Sequence, residues 1–153
     1  MSPRILYRRL ALAEVVTWAL LLLGMVLKYV TATTDLGVRV FGMAHGVVFI
    51  AFALTTVLVA VNQRWSVKDT LLGLASAVPP FLTVWFERRQ DRRGQLDGDW
   101  RLGHHETTPE NPLERILHLL MARPMVAVGV GLVAVAGLTG LALLVGPPVG
   151  QQG

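Results

Sequence analysis

From 125 to 145 the chain carries no charged residue, and two earlier stretches, 10–30 and 40–61, are nearly as apolar. A helix that crosses a bilayer needs about 20 mostly apolar residues. A chain of 153 residues with three such stretches has too little polar sequence left to cover them in water. The composition agrees: 53% of the residues are hydrophobic and 16% charged, where soluble domains carry about 25% charged residues. There is no cysteine, which excludes disulfides, thiolate metal sites and cysteine nucleophiles. The expected class is an all-α membrane protein.

A fourth stretch, 70–86, sits at the lower length limit, and Pro79-Pro80 interrupts it. Pro80 removes a backbone donor and disfavours helical geometry at Pro79. Such a break at membrane depth requires protein or water to satisfy the freed carbonyls. Length favours a full span; the alternative is a re-entrant hairpin bent at the two prolines. Arg4, Arg8 and Arg9 precede the first segment as in a signal peptide, but that segment is too long and contains Glu14, so it is expected to be retained. With no cysteine and Ser2 after Met1, no lipidation motif is present.

The region 94–112 is rich in Gly, Asp, His, Thr and Pro and reads as a solvated polar linker. Asn111 fits an N-cap, Pro112 the first helical position and Glu114 a capping box. Leu113, Ile116, Leu117 and Leu120 then share one face, predicting an interfacial amphipathic helix over 113–123. The expected fold is a three-segment helical bundle (1–93, with segments 10–30, 40–61 and 70–86), the linker, the interfacial helix, a fourth transmembrane helix at 124–146, and a tail at 147–153.

Orientation follows basic residues, which stay on the cytoplasmic side. Four spans with the N-terminus inside leave five basic residues inside and nine outside; the reverse orientation exchanges these numbers. The re-entrant form places all but Lys28 and Arg39 on one side. Charge therefore prefers the hairpin, length prefers four spans, and orientation stays open.

Polar residues within the segments must face protein or water, because a central charge costs about 2.5–3.5 kcal/mol in lipid. Glu14, Thr17, Trp18, Leu21, Met25 and Lys28 form one stripe at helical spacing. Gly42, His45, Phe49, Phe52 and Thr56 form a second, and Asp69, Gly73, Ser76, Pro80, Thr83 and Glu87 a third. With the midpoints of the apolar runs at one depth, Glu14 and His45 fall roughly 8–9 Å from their midpoints on opposite sides. A direct Glu14–His45 pair is then not expected, and Lys28 and Tyr29 are the better partners of His45. The candidate intramembrane polar site comprises Glu14, Lys28, Tyr29, His45, Ser76, Pro79 and Pro80. It reads either as a proton or ion relay centred on His45 or as interhelical hydrogen bonding with Lys28 reaching to the interface. The separation in depth favours the second.

Gly42 with Gly46, Ala127 with Gly131 and Ala136 with Gly140 are small-residue pairs one turn apart that let helices approach closely, within the chain or between two copies. Arg88, Arg89, Arg92 and Arg93 could meet anionic lipid head groups, although Glu87 and Asp91 interleave them. His104-His105 with Glu106 and Glu110 lie in a flexible stretch unsuited to a preorganised metal site. No P-loop, dinucleotide fingerprint or HExxH motif occurs, and no catalytic set is apparent. No metal, cofactor or nucleic-acid partner is expected. The net charge of +4 arises from residues that flank or lie within the membrane segments.

The stretches Leu12-Ala13-Glu14, Leu27-Lys28-Tyr29, His45-Gly46 with Phe49, Arg64-Trp65, and Ala75-Ser76 through Pro79-Pro80-Phe81 to Arg88 resemble, in order and spacing, a bacterial family of small integral-membrane proteins. That family is domain of unknown function 3817, and the resemblance covers about residues 8 to 93. Its pattern often has Gly where this chain has Val15, and one Pro where this chain has two. The resemblance implies a three-helix membrane domain and no established activity; the last span lies outside it. Twelve of the 14 basic residues are arginine, as in GC-rich bacterial genomes. The expectation is a multi-pass protein of the bacterial inner membrane. Its expected role is accessory or structural, binding itself or a membrane partner, and not enzymatic. The alternative is a small transporter or proton-conducting protein using Glu14, Lys28 and His45.

Overall fold

The computed structural model describes residues 1–103, 108–110 and 112–145, with positions 120, 121, 124, 127, 142, 143 and 145 described by their backbone alone. The expectations for His104, His105, Glu106, Asn111 and the tail fall outside these residues. Among the described residues the chain is helical, with no strand. Helix α1 (Pro3–Met25) continues through a π-helical turn (Val26–Val30). Then come α2 (Leu36–Asn62), α3 (Val67–Ala75), α4 (Leu82–Arg92), a short 3-10 turn (Arg101–Gly103), α5 (Pro112–Met121) and α6 (Pro124–Val145).

Helix α1 begins seven residues before the apolar run does, so its first two turns carry the arginines. The Ser2 hydroxyl accepts from the Ile5 amide, and Pro3 occupies the first turn, where its missing N–H costs nothing. Both Pro3–Val30 and Leu36–Asn62 are long and apolar enough to cross a membrane. They run antiparallel through a tight connection in which the Thr31 and Thr33 hydroxyls both donate to the Leu27 carbonyl, at 3.0 and 3.1 Å. Their closest approach is Gly24 against Gly37: a Cβ on Gly24 would lie 2.7 Å from the Gly37 carbonyl carbon. Helix α6 has 22 residues, about 33 Å of helix and enough to cross the hydrocarbon. Its Thr139 lies beside the early part of α2.

The segment expected to span at 70–86 instead forms two short helices that double back. Ser66 caps α3, its hydroxyl accepting from the Asp69 amide and donating to the Asp69 carboxylate. The helix stops at Ala75, the chain turns through Pro79-Pro80, and Phe81 takes a left-handed conformation (φ 69°) before α4. Asp69 at the start of α3 bonds Arg89 and Arg93 at the end of α4, at 3.2 and 3.0 Å, so both ends of the hairpin lie at one end of the bundle. Gly73 allows the fit: a Cβ there would come within 2.9 Å of both Thr56 and the Phe86 ring. At the tip, the Trp18 indole donates to the Ala77 carbonyl at 3.3 Å. Trp18 lies about midway along the first helix, so the hairpin reaches roughly half the depth of the bundle.

The first part of the stretch read as a solvated linker, residues 94–103, folds over the bundle end. Leu96 and Leu102 are fully buried. Trp65 donates to the Gln95 carbonyl at 2.8 Å and Trp100 to the Met1 carbonyl at 2.7 Å. Arg101 reaches the Asn62 carbonyl, and the Asn62 side chain accepts from the Leu102 amide. Arg4 binds Asp91 through two contacts of 2.7 Å. Helix α5 joins this cap by its polar side. Glu114, 2% exposed, takes Arg101 and the Glu110 amide, while His118 donates to the Leu102 carbonyl. Leu113, Ile116 and Leu119 face outward, an arrangement suited to a helix lying on lipid.

Two predictions follow from these contacts. Gly24→Ala forces backbone apart and should destabilise the fold by roughly 1–3 kcal/mol, whereas Gly46→Ala meets open space and should be neutral; thermal unfolding in detergent compares them. The Glu110 amide, against the opposing effect of burial, and then Arg101 and Arg64 hold the Glu114 carboxyl below its usual value. A depressed folded-state value contributes stability above the ordinary carboxylate pKa of about 4.3 and loses it as pH falls through the lower value. Acidification through that window should therefore expose the amides around Leu102 to hydrogen exchange, and Glu114→Gln should remove this pH dependence.

Candidate functional site: a buried carboxylate against a histidine

The Gly24–Gly37 contact sets the register of α1 against α2 and brings Tyr7 to Thr56 and Thr17 to His45. Glu14, fully buried, places Oε2 3.0 Å from His45 Nδ1. The expectation that these two residues lie in opposite leaflets is thus corrected. It assumed that the midpoints of the two apolar runs share a depth. The helix begins earlier, at Pro3, and the glycine contact shifts the two runs past one another.

The Thr17 hydroxyl donates to the Glu14 carbonyl at 3.1 Å and also lies 3.2 Å from His45 Nδ1, where the tautomer of the imidazole decides which group donates. The approach of His45 to Glu14 is an ion-pair proximity and not an aligned hydrogen bond. The other Glu14 oxygen, Oε1, has no hydrogen-bond partner among the described residues. Trp18 covers the imidazole with ring centroids 4.5 Å apart, and Phe49 lies beyond at 6.2 Å. An isolated charge here would be costly. The pair can hold its charges together as carboxylate and imidazolium, or be neutral after one proton moves between them.

Lys28 and Tyr29 do not join this site, contrary to expectation. They sit in the π-helical turn at the far end, where the Lys28 ammonium lies 5.2 Å over the Tyr29 ring and Tyr29 is 69% exposed. Ser76 is buried but turns its hydroxyl back to the Gly73 carbonyl at 2.6 Å. Pro79 and Pro80 are exposed at the hairpin tip and shape it without lining the site. Tyr7 was missed because it lies among the N-terminal arginines. Its hydroxyl donates to Thr56, whose own proton goes to the Phe52 carbonyl, and its ring packs on Phe52 and Trp65. The buried spacing Pro3, Tyr7, Ala11, Glu14 was the available signal.

The packing glycines divide differently from expectation. A Cβ on Gly42 would make ordinary contact with Leu21, but one on Gly46, Gly131 or Gly140 would meet nothing within 4 Å, Ala136 is exposed, and the Ala127 side chain lies outside the description. Gly42, Gly46 and Thr139 line an open groove of about 510 Å³ between α2 and α6. The arginine cluster divides too. Arg89 and Arg93 are bound to Asp69, while Arg88 and Arg92 point outward. Burial alone would raise the Asp69 carboxyl, but the Ser66 hydroxyl, Arg93 and Arg89 outweigh it and hold it below its usual value. Among the described residues no three His, Cys, Asp or Glu side chains converge on a metal-sized site.

Residues 5–92, which are helices α1 to α4 without the first two residues of α1, match the model of a family described as Domain of unknown function (DUF3817). Over 88 residues, 57% of this chain, the sequence is 49% identical to a protein of Streptomyces coelicolor named "Putative membrane protein SCO5905". The chain spans about a tenth of that relative's length (10%). No solved structure matches. A membrane helical bundle with these matching residues places the chain in a family defined by its sequence and not by an activity: it belongs to the DUF3817 family.

Proposed function

We propose that the chain is a non-enzymatic accessory module of the bacterial cell membrane that binds a second copy of itself or another membrane protein. The observation that carries this reading is a set of glycines with open space above them: a Cβ on Gly46 of α2, or on Gly131, Gly137 or Gly140 of α6, would meet nothing within 4 Å. Small residues gain nothing by facing lipid, and they favour helix association by permitting close backbone approach. Support also comes from the relative, in which the matching unit is a small part of a long chain. Crosslinking in cells and sizing in mild detergent test it: Gly131→Leu with Gly140→Leu should abolish association. A strictly monomeric wild type that captures nothing in cells would sink the reading.

In the proposed topology α1, α2 and α6 cross the membrane, α3 and α4 form the re-entrant hairpin, and the capped end is cytoplasmic. Basic residues support this, since all but Lys28 and Arg39 belong to the capped end. The cysteine-free background allows a direct check. Thr33→Cys and Asp99→Cys, both exposed, should label from opposite faces of the membrane; labelling from one face refutes it. Gln90, although in a polar stretch, is fully buried and unsuitable for this purpose.

A second reading, proton transfer through the bundle, is favoured by the Glu14–His45 contact of 3.0 Å. Proteoliposomes should then show a proton flux that His45→Ala and Glu14→Gln abolish. Absent flux, or equal flux in all three proteins, removes it.

A further inference from the structure

Five guanidinium groups at the capped end have acidic partners: Arg4 with Asp91 and Asp97, Arg64 with Glu110 and Glu114, Arg89 and Arg93 with Asp69, and Arg101 with Glu114. Arg8 and Arg88 are two of the arginines without one among the described residues, and they adjoin the same seam. Both are exposed, and neither makes an ion pair with another described residue. They belong to different helices, yet both act electrostatically on the buried Glu87 carboxyl, as do Arg4 and, with opposite sign, Asp91.

Helix geometry places them on the two sides of one seam. Arg4 and Arg8 are one turn apart on one edge of α1; Asp91 and Arg88 are one turn apart on one edge of α4. The 2.7 Å Arg4–Asp91 contact ties these edges together. One turn deeper, the positions of Arg8 and Arg88 therefore flank the α1–α4 seam, with Glu87 between the two helices. Two like charges in this relation repel, and Glu87, 3% exposed, offsets only one of them. The seam calls for an anion from outside. Its depth indicates the source. Leu12 and Val16, exposed on α1, lie one and two turns further in, so the hydrocarbon begins about 6 Å deeper. Trp85, half exposed on α4, is of the type that settles at the membrane–water boundary.

We propose that Arg8 and Arg88 clamp the phosphate of an anionic phospholipid head group, with its acyl chains along Leu12 and Val16. Guanidinium suits this task because its planar fork can bond two phosphate oxygens at once. Beyond the expected basic cluster, the clamp names one residue from each of two helices and leaves Arg89 and Arg93 out.

The full chain in phosphatidylcholine nanodiscs, with and without phosphatidylglycerol, provides the test, read by the lipid retained in native mass spectrometry. Wild type should retain phosphatidylglycerol preferentially, and the Arg8→Gln/Arg88→Gln variant should lose roughly 30-fold in apparent affinity for it. Arg39→Gln, at the opposite end, should bind as wild type does. If the double variant loses helicity, Arg88→Gln alone should weaken binding roughly fivefold. Equal retention of the two lipids by wild type, or undiminished preference in the variants, overturns the clamp. Displacement of the lipid by inorganic phosphate at comparable concentration also overturns it, because the site would then take a free anion.

Discussion

Everything in the bundle takes its height from one place where two helices touch backbone to backbone. Gly24 lies so close to Gly37 that no side chain fits between them. In lipid, where burial of apolar surface drives little, such contact is a main source of helix adhesion. It also acts as a registration mark. Once it is made, Thr17 must lie beside His45 and Tyr7 beside Thr56. The carboxylate and imidazole meet because of a glycine contact about ten residues away along α1.

The hairpin of α3 and α4 answers a different need. The face of α1 that carries Tyr7, Ala11 and Glu14 cannot be left to lipid. A half-depth element is sufficient, since the polar positions end near Trp18. The hairpin supplies its own polar groups where they are required: the Thr83 hydroxyl donates to the Ala11 carbonyl at 3.2 Å, and the Ala77 carbonyl accepts from Trp18. Asp69 then closes the two helices at their base with two arginines.

The long apolar helices α1, α2 and α6 were legible in the sequence because hydropathy over about 20 residues reports a physical requirement of the bilayer. The polar stripe of α1 was legible for the same reason, through its spacing. Register was not. It depends on Gly24 meeting Gly37, and a glycine reads alike whether it touches a helix or faces open space, as Gly46 shows. The hairpin was balanced between length and charge, and what decides it is Gly73 against Phe86 and Thr56, a contact between distant residues. The cap was hidden by composition. Leu96, Trp100 and Leu102 are few among glycines and aspartates, yet these three hold the stretch down, by burial or by the Trp100 bond to Met1.

The shared end of the hairpin also bears on how the chain enters a membrane. Each guanidinium carried through hydrocarbon raises the barrier to insertion. Because α3 and α4 return to the end from which they start, the arginines of α4, the linker and α5 stay at the end of the bundle where α1 begins. With the capped end on the side of synthesis, the only loop carried across ahead of α6 is the short one between Val30 and Leu36. Its lone acid, Asp35, lies 2.7 Å from Arg39, so of the two basic residues at that end only Lys28 travels without an acid beside it. A straight fourth span would place the whole arginine-rich stretch at the opposite end of the bundle; the bend at Pro79-Pro80 keeps it at the end where α1 begins, which in the proposed topology spares that crossing.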